Sequence, residues 1–196
     1  EDLTIGNFNV SVGYLAGSSL TSGLTNTILG GYCGYQTLLV DETVLIGYNA
    51  GGGIMTATAD GTVAIGRNAL TALTSGAGNL AVGYKALTAC TTGIGNVAIG
   101  SGSLAANQTS DYNTAVGTTA LSKQTQDGSS RNTAIGYEAL KTQSTGIRNT
   151  ALGFQAGVSM TSGNRNVAIG DGTLYSETHG DKSTAVGYNA LYKQVM

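Results

Sequence analysis

The sequence predicts an all-β fold, a parallel β-solenoid (β-roll) of about eleven coils of seventeen to nineteen residues each. Three observations support this prediction. A phrase such as Asn132–Leu140 recurs along the chain, each copy has a glycine at its centre, and consecutive central glycines are seventeen or nineteen positions apart. A near-constant period is typical of repeat proteins, in which each repeat is one supersecondary unit. The central glycines, which we take as corners of the coil, are Gly13, Gly30, Gly47, Gly66, Gly83, Gly100, Gly117, Gly136, Gly153, Gly170 and Gly187.

The residues before each central glycine predict a short strand. The residue directly before the glycine is always a branched aliphatic, and the residue before that is alanine in most copies. Alternation with a period of two is typical of a strand, because successive side chains point to opposite faces. We take the aliphatic column as the structural core of the solenoid. Its members are Val12, Leu29, Ile46, Ile65, Val82, Ile99, Val116, Ile135, Leu152, Ile169 and Val186.

The alanine column forms the opposite face of the same strands. Such a face is apolar but has little volume, so it would let a second sheet approach closely. We therefore expect it to lie at an interface between copies of the chain. The alternative is that it packs against the second strand of its own coil. The alanines concerned are Ala64, Ala81, Ala98, Ala115, Ala134, Ala151, Ala168 and Ala185.

The remainder of each coil predicts a second strand and a second corner. In the phrase Asn132–Leu140 an apolar pair, Ala139 and Leu140, follows the central Gly136. Ile135 and Leu140 are five positions apart, an odd number that would put them on opposite faces of a straight strand. If both are buried, the chain bends at Gly136, and each coil has two short strands and two corners.

A longer period is also present. The two longer spacings, Gly47 to Gly66 and Gly117 to Gly136, each add two residues at the same corner, and the second follows the first by four coils. We infer a duplicated unit of four coils, called the 70-residue unit below. The repeats cover about residues 9–191 with partial coils at both ends, so residues 1–196 are treated as a single elongated domain. Eleven layers about 4.7 Å apart would form a rod about 50 Å long.

Composition excludes several classes of protein. Charged residues make up 10% of the chain and the formal net charge is −2, whereas a nucleic-acid-binding protein is expected to carry a basic stripe. No apolar run approaches the ~20 residues of a membrane span, and no motif indicates a cofactor or metal. Cys33 and Cys90 fall in repeats two and five, about 14 Å apart in a stacked fold, which is too far for a disulfide.

The repeated pattern Asn-x-Ala-Ile/Val-Gly-x-x-Ala-Leu resembles the YadA-like head repeats of trimeric autotransporter adhesins. It is also similar to the shaft repeats of viral and phage tail fibres. The resemblance covers about residues 9–191. It implies a parallel β-roll in which three chains pack into a rod exposed at a cell or particle surface. The adhesin head repeat is usually shorter than the repeat of this chain, and the neck and coiled-coil stalk that normally follow it are not found in this sequence.

Few residues suggest catalysis, which needs convergent ionisable groups. His179 lies at a corner and is interpreted as an exposed loop residue rather than a metal or acid–base group. Glu138 and Asp171 occupy adjacent positions of coils two layers apart, so a carboxylate pair for glycoside cleavage is an alternative to solvated turn charge. We predict that the chain is not an enzyme and has no catalytic, cofactor or metal residues.

Two further columns could contact a ligand. Aromatic residues often follow the central glycine and suggest either packing at a corner or a strip for binding sugars or partners: Tyr14, Tyr48, Tyr84, Tyr137, Phe154 and Tyr188. Threonines recur eight positions after the glycine and could template ice, although other residues interrupt the column: Thr21, Thr74, Thr91, Thr125, Thr161 and Thr178.

The predicted function is that of a structural and adhesive surface fibre rod, a homotrimeric shaft or head that presents contacts to a cell surface. It would be extracellular, on a cell or virion, with a host-cell glycan or protein as receptor. One alternative is a self-assembling extracellular filament subunit that stacks end to end. A second is the shaft of a polysaccharide-degrading phage tail spike.

Overall fold

The computed structural model describes residues 6–193 and confirms the predicted fold class. Eleven three-residue strands form one parallel sheet in chain order, each paired with the strand of the next coil. Ala134, for example, lies between Ala115 and Ala151, one coil to either side. The strands of this sheet are Val10–Val12 (β1), Thr27–Leu29 (β2), Val44–Ile46 (β3), Val63–Ile65 (β4), Leu80–Val82 (β5), Val97–Ile99 (β6), Thr114–Val116 (β8), Thr133–Ile135 (β10), Thr150–Leu152 (β11), Val167–Ile169 (β12) and Thr184–Val186 (β13).

The two longer coils carry additional structure at one corner. A short 3-10 helix, Ala57–Ala59, lies in the first of them. Near the second, Ser110–Asp111 (β7) pairs with Gly128–Ser129 (β9) as a separate two-stranded parallel sheet. The register of the main sheet continues past these additional residues without interruption.

The predicted second strand of each coil is absent among residues 6–193, where each coil contributes one strand to the main sheet. The reason lies in the backbone after the corner glycine. Glu138 and Leu140 have φ values of 56° and 49°, in the left-handed region, and the equivalent residues of most coils do the same. Such a chain cannot be extended. It still stacks on its neighbours, since the Leu140 N–H donates to the Ala156 carbonyl at 3.0 Å.

The aliphatic column does not form the core, so that prediction is wrong. The side chains of this column point away from the coil interior. Five are exposed: Val12, Ile99, Ile135, Leu152 and Val186. Six are half-buried: Leu29, Ile46, Ile65, Val82, Val116 and Ile169.

The alanine column faces the interior of its own coil, so the predicted interface at these residues is also wrong. The eight members are at most 4% exposed within a single chain: Ala64, Ala81, Ala98, Ala115, Ala134, Ala151, Ala168 and Ala185. The physical reason is volume. A coil of this length encloses a narrow interior. Ala139 and Leu140, which belong to the segment after the corner glycine (the returning segment of the coil), already occupy this interior and are both fully buried. An alanine is what fits opposite them.

In two early coils the large and the small residue of the interior have exchanged places. At the position of Leu140 these coils carry Gly34 and Gly51, and their strands have Ile28 and Leu45 at the centre in place of alanine. A Cβ added at Gly34 would lie 3.1 Å from Leu45 Cδ1. The large residue has moved from the returning segment to the strand, and close packing is kept.

Candidate interaction surface

The outer face of the main sheet is an apolar surface that the repeat creates. Each strand points its first and third residues outwards. The third residue is always aliphatic, which produces a continuous line of side chains along all eleven strands. Val12 and Val186 are 62% and 65% exposed at the two ends of this line. Monomeric proteins rarely expose contiguous apolar patches of more than a few hundred Å², so this face is a candidate interface. We call it the outer sheet face.

The outer sheet face differs in polarity from one end to the other. In the first six strands the first residue is aliphatic except at Thr27. In the last five strands it is threonine except at Val167. The face is therefore more apolar towards the N-terminal coils and mixed towards the C-terminal coils, which gives it a direction.

The corner glycines lie at one edge of this face and stack directly on each other. Gly83 has a φ of +135°, and a Cβ there would lie 2.7 Å from both the carbonyl carbon and the carbonyl oxygen of Gly100 in the next coil. Both physical reasons for glycine therefore apply together, because the backbone conformation is one that L side chains rarely adopt and the adjacent layer leaves no space.

Asparagines at the start of the strands form an internal ladder. The Asn149 N–H donates to Asn132 Oδ1 at 2.8 Å, and Asn149 Nδ2 donates to the Gly163 carbonyl at 2.6 Å. The ladder is interrupted in coils three and four by Thr43 and Thr62, and the buried Thr62 Oγ1 has no hydrogen-bond partner among the described residues. These amides hold layers together and are not available to a ligand.

Aspartates at another corner have a similar role. Asp41, Asp111 and Asp181 recur with the period of the four-coil unit, and each accepts a hydrogen bond from a backbone N–H one coil earlier. The distances from the Leu24 and Ile94 nitrogens to the carboxylates are 2.7 and 2.8 Å. The 70-residue unit is therefore present in the hydrogen bonding as well as in the sequence.

The threonine column is also used within the fold. Thr74 Oγ1 donates to the Thr91 carbonyl at 2.9 Å, and Thr161 Oγ1 donates to the Thr178 carbonyl at 3.0 Å. Hydroxyls that bond to the next coil are not a free array, so this arrangement does not favour ice binding.

The carboxylate pair considered from the sequence does not form a site. Glu138 accepts hydrogen bonds from Lys141 Nζ at 2.6 Å and Gln155 Nε2 at 2.8 Å. The hydrogen bond from Lys141 is the main reason that the pKa of Glu138 is lowered. Asp171 is exposed. Among residues 6–193 no three His, Cys, Asp or Glu side chains lie close enough together to hold a metal ion.

The sequence reasoning missed a buried carboxylate beside His179. Glu177 is fully buried, and its Oε1 accepts hydrogen bonds from the N–H groups of Thr178, His179 and Gly180 at 3.0, 3.1 and 2.6 Å. The imidazole itself is exposed and contacts the Thr178 hydroxyl through Nδ1 at 2.7 Å. The carboxylate therefore stabilises a corner, as the aspartates do elsewhere.

Aromatic rings of the N-terminal coils form a cluster that the predicted column alone did not reveal. Tyr32 and Tyr35 lie outside the predicted column, but Tyr32 makes edge-to-face contacts with Tyr14, Tyr35 and Tyr48. We call these four residues the tyrosine cluster. Elsewhere the rings pair by stacking, as Tyr137 and Phe154 do at a centroid distance of 5.3 Å.

The cysteines are free and buried, and burial raises the pKa of each thiol to about 11. Among the described residues there is no helix of the length and hydrophobicity that would span a membrane.

Comparison with known proteins adds no relative to this description. The chain matches no family model, no curated protein and no solved structure. The resemblance to adhesin heads and tail-fibre shafts therefore remains a prediction made from the repeat motif.

Proposed function

We propose that this chain is the non-enzymatic rod of an extracellular fibre on a cell or virion surface, and that it assembles as a homotrimer through the outer sheet face. The observation that carries this proposal is the unbroken line of outward-pointing aliphatic side chains on eleven consecutive strands. The narrow interior explains why alanine lies inside, but it does not explain why the exposed side of the strand is always branched and aliphatic.

Association would remove this line of side chains from water. Fully burying one valine, leucine or isoleucine contributes about 1.5–3 kcal/mol relative to leaving it exposed. Five members of the line are exposed and six are half-buried, so a substantial part of that stabilisation is still to be gained by the folded chain. Obligate interfaces are apolar in this way and resemble a domain core that has been divided.

Three parallel copies suit the geometry of the face. Three outer sheet faces around one axis would enclose the aliphatic column of all eleven strands, as the resemblance to trimeric adhesin heads implies. The direction of the face supports a parallel arrangement. In a parallel and in-register trimer, the N-terminal valines such as Val44 meet each other, and threonines such as Thr133 meet threonines.

The test is the oligomeric state of the full chain and of outer-face variants, measured by sedimentation equilibrium. In Ile99→Lys/Ile135→Lys, two charges replace side chains that are each 37% exposed and point away from the coil interior. We expect the chain to stay folded by circular dichroism and to sediment as a monomer, because burying unpaired ammonium groups at the interface is costly.

A matched control is Ile94→Lys, since Ile94 is 42% exposed but lies at a corner outside the outer sheet face. The control should sediment as the wild-type trimer does. A wild-type monomer at micromolar concentration, or a trimer that both variants retain, would refute the proposed interface. Concentration-dependent fibres would favour the end-to-end filament, and glycan turnover would favour the tail-spike shaft.

A further inference from the structure

We propose that the tyrosine cluster, with the adjacent Arg67, is a binding site for an oligosaccharide of acidic pyranoses. This inference specifies the surface contact that an adhesive rod requires and in that sense rests on the proposed function, but the binding can be measured separately from assembly. The cluster spans coils one to three, and Arg67 continues the same corner in coil four.

The geometry presents aromatic surface to solvent. Half-buried Tyr32 lies at the centre, with ring centroids 5.3 Å from Tyr14, 5.8 Å from Tyr35 and 5.7 Å from Tyr48, at interplanar angles of 66–77°. Tyr14 and Tyr48 remain 69% and 52% exposed on either side of it. Tyr14 and Tyr48 belong to coils two layers apart, about 9.5 Å along the rod, a span that a disaccharide can cover.

The fold does not require these rings, as the second copy of the 70-residue unit demonstrates. There the positions equivalent to Tyr32, Tyr35 and Tyr48 are filled by smaller residues, namely Gly102, Ala105 and Thr118.

The backbone at the centre of the cluster is the same in both copies. Tyr32 has a φ of 55° and Gly102 a φ of 67°. A non-glycine residue in the left-handed region costs roughly 1–2 kcal/mol, so Tyr32 occupies a position where glycine would be more stable. Other coils carry non-aromatic residues such as Leu15, Asn49 and Lys85 in the same conformation at this position, so the backbone of the corner does not require an aromatic ring there.

The charge around the cluster selects an anionic ligand. The Arg67 guanidinium lies 5.8 Å from the Tyr48 ring centroid, and Lys85 Nζ lies 5.3 Å from that of Tyr84 one coil further. Neither cation forms an ion pair with any of residues 6–193. The two residues that follow the corner glycine include no Asp or Glu in coils one to five.

Further along the rod, the same corner carries acidic residues, namely Glu138 in coil eight and Asp171 in coil ten. An acidic sugar combines the features that the site can recognise. Its C–H faces pack against aromatic rings, its hydroxyls bond to phenols, and its carboxylate pairs with guanidinium. A tyrosine phenol is protonated at neutral pH, and the proximity of Tyr14 raises the pKa of Tyr32 further, so this phenol can donate a hydrogen bond to the sugar.

The experiment measures binding of a galacturonate oligomer to the full chain, with a neutral dextran oligomer of similar length as the uncharged comparison. The variant Tyr32→Gly/Tyr35→Ala/Tyr48→Thr introduces the residues that the second unit already carries, so it should fold normally. We expect the affinity for galacturonate to fall by at least about tenfold. Arg67→Ala should lower galacturonate affinity by about fivefold and leave dextran unaffected.

The matched control is Tyr137→Thr/Phe154→Ala, which removes the stacked pair from the acidic part of the corner. Its affinity should stay within about twofold of wild type. The proposal is overturned if wild-type chain binds neither oligomer, if dextran binds as tightly as galacturonate, or if the control loses as much affinity as the cluster variant. Sedimentation of the same samples separates the two proposals, because a trimer that binds no sugar refutes this inference alone.

Discussion

Replacing the corner glycine Gly83 by alanine tests whether layer stacking defines this fold. Gly83 lies in an interior coil, and two separate effects act on the added methyl group. The backbone φ of +135° is in a region that alanine rarely adopts, and the methyl carbon would lie 2.7 Å from the Gly100 carbonyl group. The next coil would have to shift or the corner would have to distort.

The magnitude follows from these two effects. A residue held in such a sparsely populated backbone region costs about 1–3 kcal/mol. Overpacking that forces backbone to shift costs typically about 1–3 kcal/mol in addition. We therefore expect Gly83→Ala to lower the free energy of unfolding by about 2–6 kcal/mol, a large fraction of the roughly 5–15 kcal/mol by which domains are typically stable.

Two control substitutions separate the effects. Gly187→Ala has a similar φ of +124°, but among residues 6–193 no atom beyond its chain neighbours lies within 4 Å of the added Cβ, so it should cost only the backbone part, about 1–3 kcal/mol. Gly78→Ala lies in an interior coil at a φ of +65°, also with open space, and should cost about 1–2 kcal/mol. Both changes add the same methyl group as Gly83→Ala.

The assay combines urea unfolding, followed by circular dichroism, with hydrogen exchange. Repeat proteins derive stability from neighbouring interfaces, so the damage should be local. In Gly83→Ala, exchange should accelerate most in the coils of Gly83 and Gly100. Equal destabilisation by all three substitutions, or a Gly83→Ala protein as stable as wild type, would show that the layers do not approach as closely as described.

Three further predictions concern the interior and the surface. Thr62→Asn should raise the free energy of unfolding by about 1 kcal/mol in urea titrations, because the new amide would replace an unpaired hydroxyl and continue the asparagine ladder; a less stable variant would mean that the coil has no space for it. Cys33 and Cys90, with thiol pKa values of about 11, should react with a thiol reagent at pH 8 only after denaturation, and rapid reaction in the native protein would contradict their burial. Glu138→Gln should cost about 0.2–1 kcal/mol at pH 7, where the pair with Lys141 is charged. Because the pKa of Glu138 is lowered on folding, this contribution disappears as pH falls through the lowered value, so wild type and variant should converge in acid.

Much of the architecture could be predicted because it is local in the sequence. The spacing of Gly66, Gly83 and Gly100 determines the length of each coil, and the alternation before each glycine determines the strand. The backbone conformation after the corner glycine was harder to predict. The apolar pair in this segment is equally compatible with a strand, and nothing in the side chain of Leu140 indicates that its φ is positive.

The candidate site was predicted less completely, because it depends on residues from different columns. Tyr14 and Tyr48 share a column that the period reveals, but Tyr32 and Tyr35 do not. Their contacts arise because coils stack about 4.7 Å apart, so rings at different positions of adjacent coils meet. The longer period could have drawn attention to them, since it pairs Tyr32 with Gly102 and Tyr35 with Ala105.

The amino-acid sequence by itself determined the period, the number of layers, the strand in each coil and the glycine at each corner, since a recurring local pattern specifies all of these. Tertiary structure decided which face of the strand is inside. Ala134 and Ile135 are both apolar, so alternation shows two faces without ranking them. The choice depends on how much volume the coil encloses, and that volume is filled by Leu140, which leaves alanine inside and the aliphatic column on the surface.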